Sequence, residues 1–175
     1  MIYKKISREF FNFCKIHQLY IENFPSNERR DWEKMLKLIE NEPRFHIVAA
    51  TGQSDEVAGF VTFWTFGFFT YVEHLVVDAA MRRQGIGAAL LNEAHRPGLP
   101  LLLEVEPPVD ETTTRRVNFY QRLGLVLRDD IPYEQPPYSP QKEPVTLRLM
   151  VSPSMADQDI NTAAAVIRRE VFHAG

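Results

Sequence analysis

The sequence predicts a single mixed α/β domain of the α+β kind, with helices flanking one central sheet. Three observations lead there. The chain has 175 residues, 45% apolar and 25% charged, which suits one domain with a substantial core. Its hydrophobic period is helical up to Pro43 and changes to two immediately afterwards. Strand and helix signals then interleave, giving the order α-α-β-β-β-α-β-α-β-β-α, with no internal repeat and no low-complexity linker.

Residues 7–22 (SREFFNFCKIHQLYIE) predict a first helix with Phe10, Cys14, His17 and Ile21 along one stripe, broken by Pro25. Ser26 can cap a second helix, in which Trp32, Met35, Leu36 and Ile39 recur at i, i+3, i+4, i+7, and Pro43 ends it. His46–Thr51 is a short strand followed by the turn residues GQSD. Val57–Phe66 and Phe69–Val77 read as two antiparallel strands joined near Gly67. The next helix starts at a glycine pair, Gly85 and Gly87, and runs to about His95, where Pro97-Gly98 stops it.

LPLLLEVE (99–106) is almost continuously apolar, as a central strand would be. Thr112–Leu123 is a strong helix with Gly124 at its C′ position. LVLR (125–128) and VTLRLMV (145–151) are the last strands, separated by the Pro- and Tyr-rich IPYEQPPYSPQKEP. A final helix, about 157–173, aligns Ile160, Ala163, Ala164, Ile167 and Val171. Residues 1–152 are thus expected to form the functional domain. Residues 153–175 form a helical extension packing on that domain or on a partner subunit, and Ala163, Ala164 and Ala165 would permit the close helix approach of a homodimer.

Several classes of function are disfavoured. A net charge of −3 and a pI of about 6.0 give no broad footprint for nucleic acid. No apolar run approaches the ~20 residues of a membrane span. The start, MIYKKISREFF, lacks the apolar core of a signal peptide. The single cysteine, Cys14, cannot form an intrachain disulfide and lies on an apolar stripe, which suits core packing better than a nucleophile. The expectation is a cytoplasmic protein. The five histidines show no metal-ligand spacing, so no metal is expected.

The stretch Arg82-Arg83-Gln84-Gly85-Ile86-Gly87-Ala88 stands where a strand passes into a helix. A helix N-terminus offers unpaired N–H groups and a partial positive charge, which suits a phosphate. Glycine at 85 and 87 lets a ligand approach the backbone, and the flanking side chains add donors. A dinucleotide fold would need a third glycine where Leu90 stands, and a P-loop would need Gly-Lys-Ser/Thr. Taken alone, the stretch also reads as a plain strand–helix turn.

Its surroundings carry more. VDAAMRRQGIGAALL (77–91) resembles the acetyl-CoA-binding motif of the GNAT superfamily of N-acetyltransferases, Arg/Gln-x-x-Gly-x-Gly/Ala. LLEV (102–105) and FYQRLGL (119–125) resemble the strand and helix that follow it in that family, so three motifs agree in order across 57–150. The resemblance implies a mixed six- or seven-stranded sheet that splays between two parallel strands, 69–77 and 101–106. It implies acetyl-CoA as co-substrate, with pantetheine beside Leu75, Val76 and Val77 and pyrophosphate on the amides of Arg83 to Ala88. Many relatives place an asparagine seven residues before the motif tyrosine; here Thr113 occupies that position.

Acetyl transfer needs a neutral amine, so a base must remove a proton from an alkylammonium of pKa ~10.4. Tyr120, at the family's tyrosine position, is the candidate acid for the departing thiolate; the plainer reading is a core tyrosine. Glu104 and Glu73 compete as base, with Glu106 or water behind them. A carboxylate in an apolar strand needs a reason to be there. The plainer one is an ion pair with Arg82, Arg115 or Arg116. In the Pro-rich loop, Tyr133, Glu134 and Tyr138 are candidate contacts for a small cationic amine, unless the loop is simply surface. A peptide acceptor and a non-catalytic coenzyme A sensor are the alternatives.

Overall fold

A computed structural model of the chain describes residues 1–7, 13–54 and 56–173. Seven strands form one sheet: β1 (Ile2–Lys5), β2 (Phe45–Thr51), β3 (Val57–Thr65), β4 (Thr70–Val77), β5 (Leu101–Val105), β6 (Val126–Gln135) and β7 (Val145–Val151). Their order is β1-β2-β3-β4-β5-β7-β6, and only the β4–β5 pair is parallel. Two layers of helix cover it. α1 (Phe13–Asn23), α2 (Trp32–Asn41) and α5 (Asp157–Glu170) share a core with one face, through Ile16, Leu19, Tyr20, Met35, Ile160, Ala163 and Ile167. α3 (Ile86–Ala94) and α4 (Glu111–Arg122) share the core of the other, through Ile86, Leu90, Leu91, Val117 and Tyr120. No helix among the described residues is long and apolar enough to cross a membrane.

The expected elements are present, with four differences. β1 is a short edge strand whose sequence, IYKK, carries little alternation. β6 continues to Gln135 rather than stopping at Arg128: its register breaks between Arg128 and Tyr133, then resumes opposite Leu147. Ser26 does not cap α2. Residues Ser26–Glu28 form an isolated 3-10 turn after Pro25, and Asp31 is the residue before α2. The stripe expected on the first helix is rotated. Ile16, Leu19 and Tyr20 are buried, whereas Cys14 is exposed and Ile21 is 44% exposed, so Cys14 is not a core residue. Phe10 lies outside the described residues.

Gly124 does take up the C′ role, with φ +89° and an N–H bonded to the Gln121 carbonyl. Along α5, Ile160, Ala163 and Ile167, with Val171 after it, are buried in a core shared with this chain's own sheet, and Ala164 is partly buried against it.

Gly59 on β3 has a packing role that composition does not announce. A Cβ there would stand 2.5 Å from the Val76 carbonyl oxygen and 3.3 Å from Leu90 Cδ1. The backbone of β4 cannot yield as a flexible side chain would. Gly59→Ala is therefore expected to lower stability by about 1–3 kcal/mol, the usual cost of overpacking, read as a lower urea midpoint with an unchanged slope. An unchanged midpoint would mean that β3 and β4 shift apart freely.

Candidate active site

The site is built where the sheet forks. β4 and β5 pair only over Thr70–Val72 and Leu101–Leu103. Beyond that ladder, residues 73–77 and 104–105 have no partner across the gap. Just past the last pair, β4 carries a bulge. Phe63 faces Val72 and Thr62 faces His74, so Glu73 is the extra residue. The bulge resets the alternation. Glu73 shares Tyr71's face, as alternation predicts, but Leu75 and Val77 pack on the α3–α4 side, and Val76 turns to the α1–α5 side.

Both carboxylates stand at this fork on the α1–α5 face, in different surroundings. Glu73, with 0% side-chain exposure, forms an ion pair with Arg30 at 2.8 Å. It also accepts hydrogen bonds from Trp64 Nε1 at 2.8 Å and the Tyr138 hydroxyl at 2.8 Å. Burial pushes its carboxyl up, but Arg30 and these donors outweigh burial and hold it below the usual carboxylate range. The guanidinium of Arg30 lies between the rings of Trp64 and Tyr138, 5.6 and 4.8 Å from their centroids. It donates a further bond to the Val171 carbonyl at 3.1 Å.

The partner of Glu73 is thus none of the three arginines expected. Arg116 pairs with Glu106, Arg115 with Glu111, and Arg82 bonds Val77 O and Asn23 Oδ1.

Among the described residues, no cation is bonded to Glu104. Its Oε2 accepts from the Tyr71 hydroxyl at 2.8 Å and its Oε1 from the Tyr133 hydroxyl. Burial pushes its carboxyl up to about 7; the two phenols pull against that rise, and the charges of Glu73 and Glu28 add to it. His74, displaced inward by the bulge, contacts Thr62 Oγ1 at 3.1 Å and the Glu28 carbonyl at 3.0 Å, and burial keeps its ring below the usual histidine value.

The sequence-predicted acceptor contacts separate. Tyr133 and Tyr138 reach the two carboxylates, while Glu134 is exposed and its carbonyl accepts from Arg168. The cation held against Tyr138 is the chain's own Arg30.

At the strand–helix turn, Arg82 Nε bonds the Val77 carbonyl at 3.2 Å. Arg83 and Gly85 take positive φ values of 63° and 76°, which turn the chain into α3. Ala89 is the first residue to bond back, to Gly85 O, so the earlier N–H groups of the helix have no acceptor within it. A Cβ on Gly85 would meet nothing within 4 Å, so open space lies in front of this turn. Gly87 differs: a Cβ there would stand 3.2 Å from the Phe119 ring, so its bareness serves the packing of α3 on α4. These features fit a pyrophosphate. Thr113 is buried in a capping box with Asp110, its hydroxyl bonded to Oδ1 at 2.9 Å. Tyr120 lies in the α3–α4 core beside Phe119, and burial pushes its phenol up to about 12, partly offset by Arg116.

Arg30, Trp64 and His74 are members of this constellation that the sequence did not mark. Arg30 sits in the polar run NERRD, which looks like surface. Alternation put Tyr71 on Glu73's face but gave no sign that its hydroxyl bonds a carboxylate on the neighbouring strand.

Comparison with known proteins bears on what this fork holds. Residues 13–125 match the Acetyltransferase (GNAT) family. A solved GNAT-family protein from Bacteroides thetaiotaomicron is 30% identical over the full length of both chains, with a TM-score of 0.88. An aminoglycoside 6'-N-acetyltransferase complexed with coenzyme A is 19% identical, covers 87% of this chain and 96% of its own, and has a TM-score of 0.60. Among curated proteins, YjbC of Bacillus subtilis (strain 168), named as an acetyltransferase, is 43% identical over 63 residues, 34% of this chain. The match spans 32% of that relative's length.

Proposed function

This chain belongs to the acetyltransferase (GNAT) family, and from that premise we propose that it transfers the acetyl group of acetyl-CoA to a primary amine of a small molecule. The observation that carries the reading is Glu104: a carboxylate at the open fork of the sheet, held by the Tyr71 and Tyr133 phenols, with its carboxyl near 7. A carboxylate poised there can accept a proton at neutral pH.

Acetyl-CoA would rest its pyrophosphate on the amides of Arg83 to Ala88, with Arg82 and Gln84 at the rim. Its pantetheine would lie beside Leu75, Val76 and Val77, where β4 has lost its β5 neighbour, and near Thr113. Glu104 takes the ammonium proton. The amine nitrogen then attacks the thioester carbonyl carbon; the C–N bond forms, the C–S bond breaks, the electron pair leaves with sulfur, and the surplus N–H proton of the new amide passes to that sulfur to give the free thiol. Tyr120 donates a hydrogen bond to that sulfur. Its phenol, near 12, is a weaker acid than an alkyl thiol of pKa ~8.5, so it stabilises the thiolate without surrendering its proton fully. Glu73 remains the counter-ion of Arg30.

The roof over the acceptor side supports a small acceptor. Residues 136–144 are fastened to the α1–α2 connection by Lys142 Nζ, which bonds the Arg29 carbonyl at 2.7 Å and approaches Asp31 at 3.4 Å. A peptide would need an open groove there.

The test is thiol release from acetyl-CoA against polyamines, amino acids, aminosugars, aminoglycosides and short peptides, with Tyr120→Phe alongside. The expected result is turnover with one class of small amine, with kcat lowered about 10²-fold in the variant. Release with peptides alone would end the small-molecule reading. Coenzyme A binding with no release from any acceptor would favour a sensor.

A further inference from the structure

We propose that Tyr133 is a positioning residue for the transfer: a phenol that reaches in from the sheet's edge strand to hold Glu104 in place as the base. The proposal rests on the acetyl-transfer reading above.

The geometry is specific. Glu104 lies on β5 and Tyr133 on β6, with β7 between them. Two strand spacings are roughly 10 Å, a gap that only a long side chain with a polar tip can close. In regular register, β6 would continue its ladder beyond Arg128 with Asp129 opposite Arg148 and Asp130 opposite Leu147. Instead, four residues bulge out between Arg128 and Tyr133, and pairing resumes with Tyr133 opposite Leu147. That irregularity brings the ring inward, where Tyr133 is 8% exposed and its hydroxyl meets Glu104 Oε1. Tyr71, fully buried on β4, holds the other oxygen. Each carboxylate oxygen keeps a second lone pair for the incoming proton.

The titratable groups acting on Glu104 come from four segments. Tyr71 and Glu73 face it from β4, Tyr133 from β6, Glu28 from the turn at 26–28, and Tyr138 from the loop after β6. The β7 residue opposite it is the apolar Leu149. Arg168 of α5 acts on the Tyr133 hydroxyl itself. The Tyr133 bond favours the charged form of Glu104, so its loss should make the carboxylate harder to ionise.

Tyr133→Phe keeps the ring and removes only the donor. In the full chain, with the amine that the wild type accepts, the acidic limb of the rate profile should move up by about one pH unit. That is roughly a tenfold lower rate at pH 6, while the alkaline plateau stays within about threefold. A purely packing role leaves the limb where it is, and that result would overturn the proposal. A plateau that collapses with an unmoved limb would also overturn it, because Tyr133 would then be touching the reacting atoms. Titration of the Glu104 carboxyl carbon by NMR, identified by its loss in Glu104→Gln, reads the same shift without turnover. A wild type that releases no thiol would therefore count against acetyl transfer while leaving Tyr133 testable.

Discussion

Glu104→Gln lowers kcat for acetyl transfer by about 10²- to 10⁴-fold, the span for loss of a general base, and abolishes the rise in rate across pH 7. The sign follows from the site. A base acts as its carboxylate, and the Glu104 carboxyl sits near 7, so the wild-type rate climbs as pH passes upward through that value. Glutamine has the same shape and can still accept from Tyr71 or Tyr133, but it takes no proton near neutrality. Stability moves the other way. Because the folded carboxyl is raised above its unfolded value, the wild type loses stability relative to the variant as pH rises from about 4.5 to 7, and the difference is then constant. Thermal unfolding at pH 5 and pH 8 reads this directly. A pH–rate profile unchanged in the variant would transfer the role of base to Glu73, Glu106 or water.

Arg30→Gln costs about 3–5 kcal/mol at pH 8, the penalty for leaving one member of a buried ion pair unpaired. Glu73 has 0% and Arg30 7% side-chain exposure, so neither charge has recourse to solvent. In the wild type, Arg30 holds Glu73 below the usual carboxylate range, a contribution present above the unfolded value and lost as pH falls through the folded one. Without Arg30, burial dominates and Glu73 is pushed up. The deficit should therefore be larger at pH 8 than at pH 5, as measured by urea unfolding. The double variant Arg30→Gln/Glu73→Gln removes both charges and should recover most of the loss. A deficit in the single variant that ignores pH would mean that the stacking of Arg30 on Trp64 and Tyr138 matters more than its charge.

Much of the fold was legible because its signals are local. Pro25, Pro43 and Pro97-Gly98 punctuate the helices, Gly124 closes α4, and the period changes after Pro43. The strand–helix turn at 82–88 was legible for the same reason: its N–H groups and its glycine lie within a few residues of one another. Glu104 stood out because a charge inside LPLLLEVE is costly unless something needs it.

What was not legible depends on geometry between distant segments. The bulge at Glu73 arises from the pairing of β3 with β4, and no residue in TYVEHLVV announces it. β6 runs past Pro132 because its register breaks and resumes against β7, whereas the sequence shows only a proline and a change of pattern. The direction of α1 was misread for a related reason. Its stripes differ little in apolarity, and the sheet chose Ile16, Leu19 and Tyr20 over Cys14 and Ile21. Arg30 is the clearest case, since nothing in NERRD separates the buried arginine from the one beside it.

The bond from Arg30 to the Val171 carbonyl joins residues 141 apart in sequence, and Tyr138 meets Glu73 across 65. Contacts of such separation are slow to find one another, because the intervening chain must close a large loop before they form. The β2–β3–β4 meander, whose contacts are short-range, can organise long before that. In a refolding chain the scaffold should thus precede the chemistry: sheet structure returns first, and the charge pairing that neutralises Glu73 comes in the last step, when the end of α5 docks.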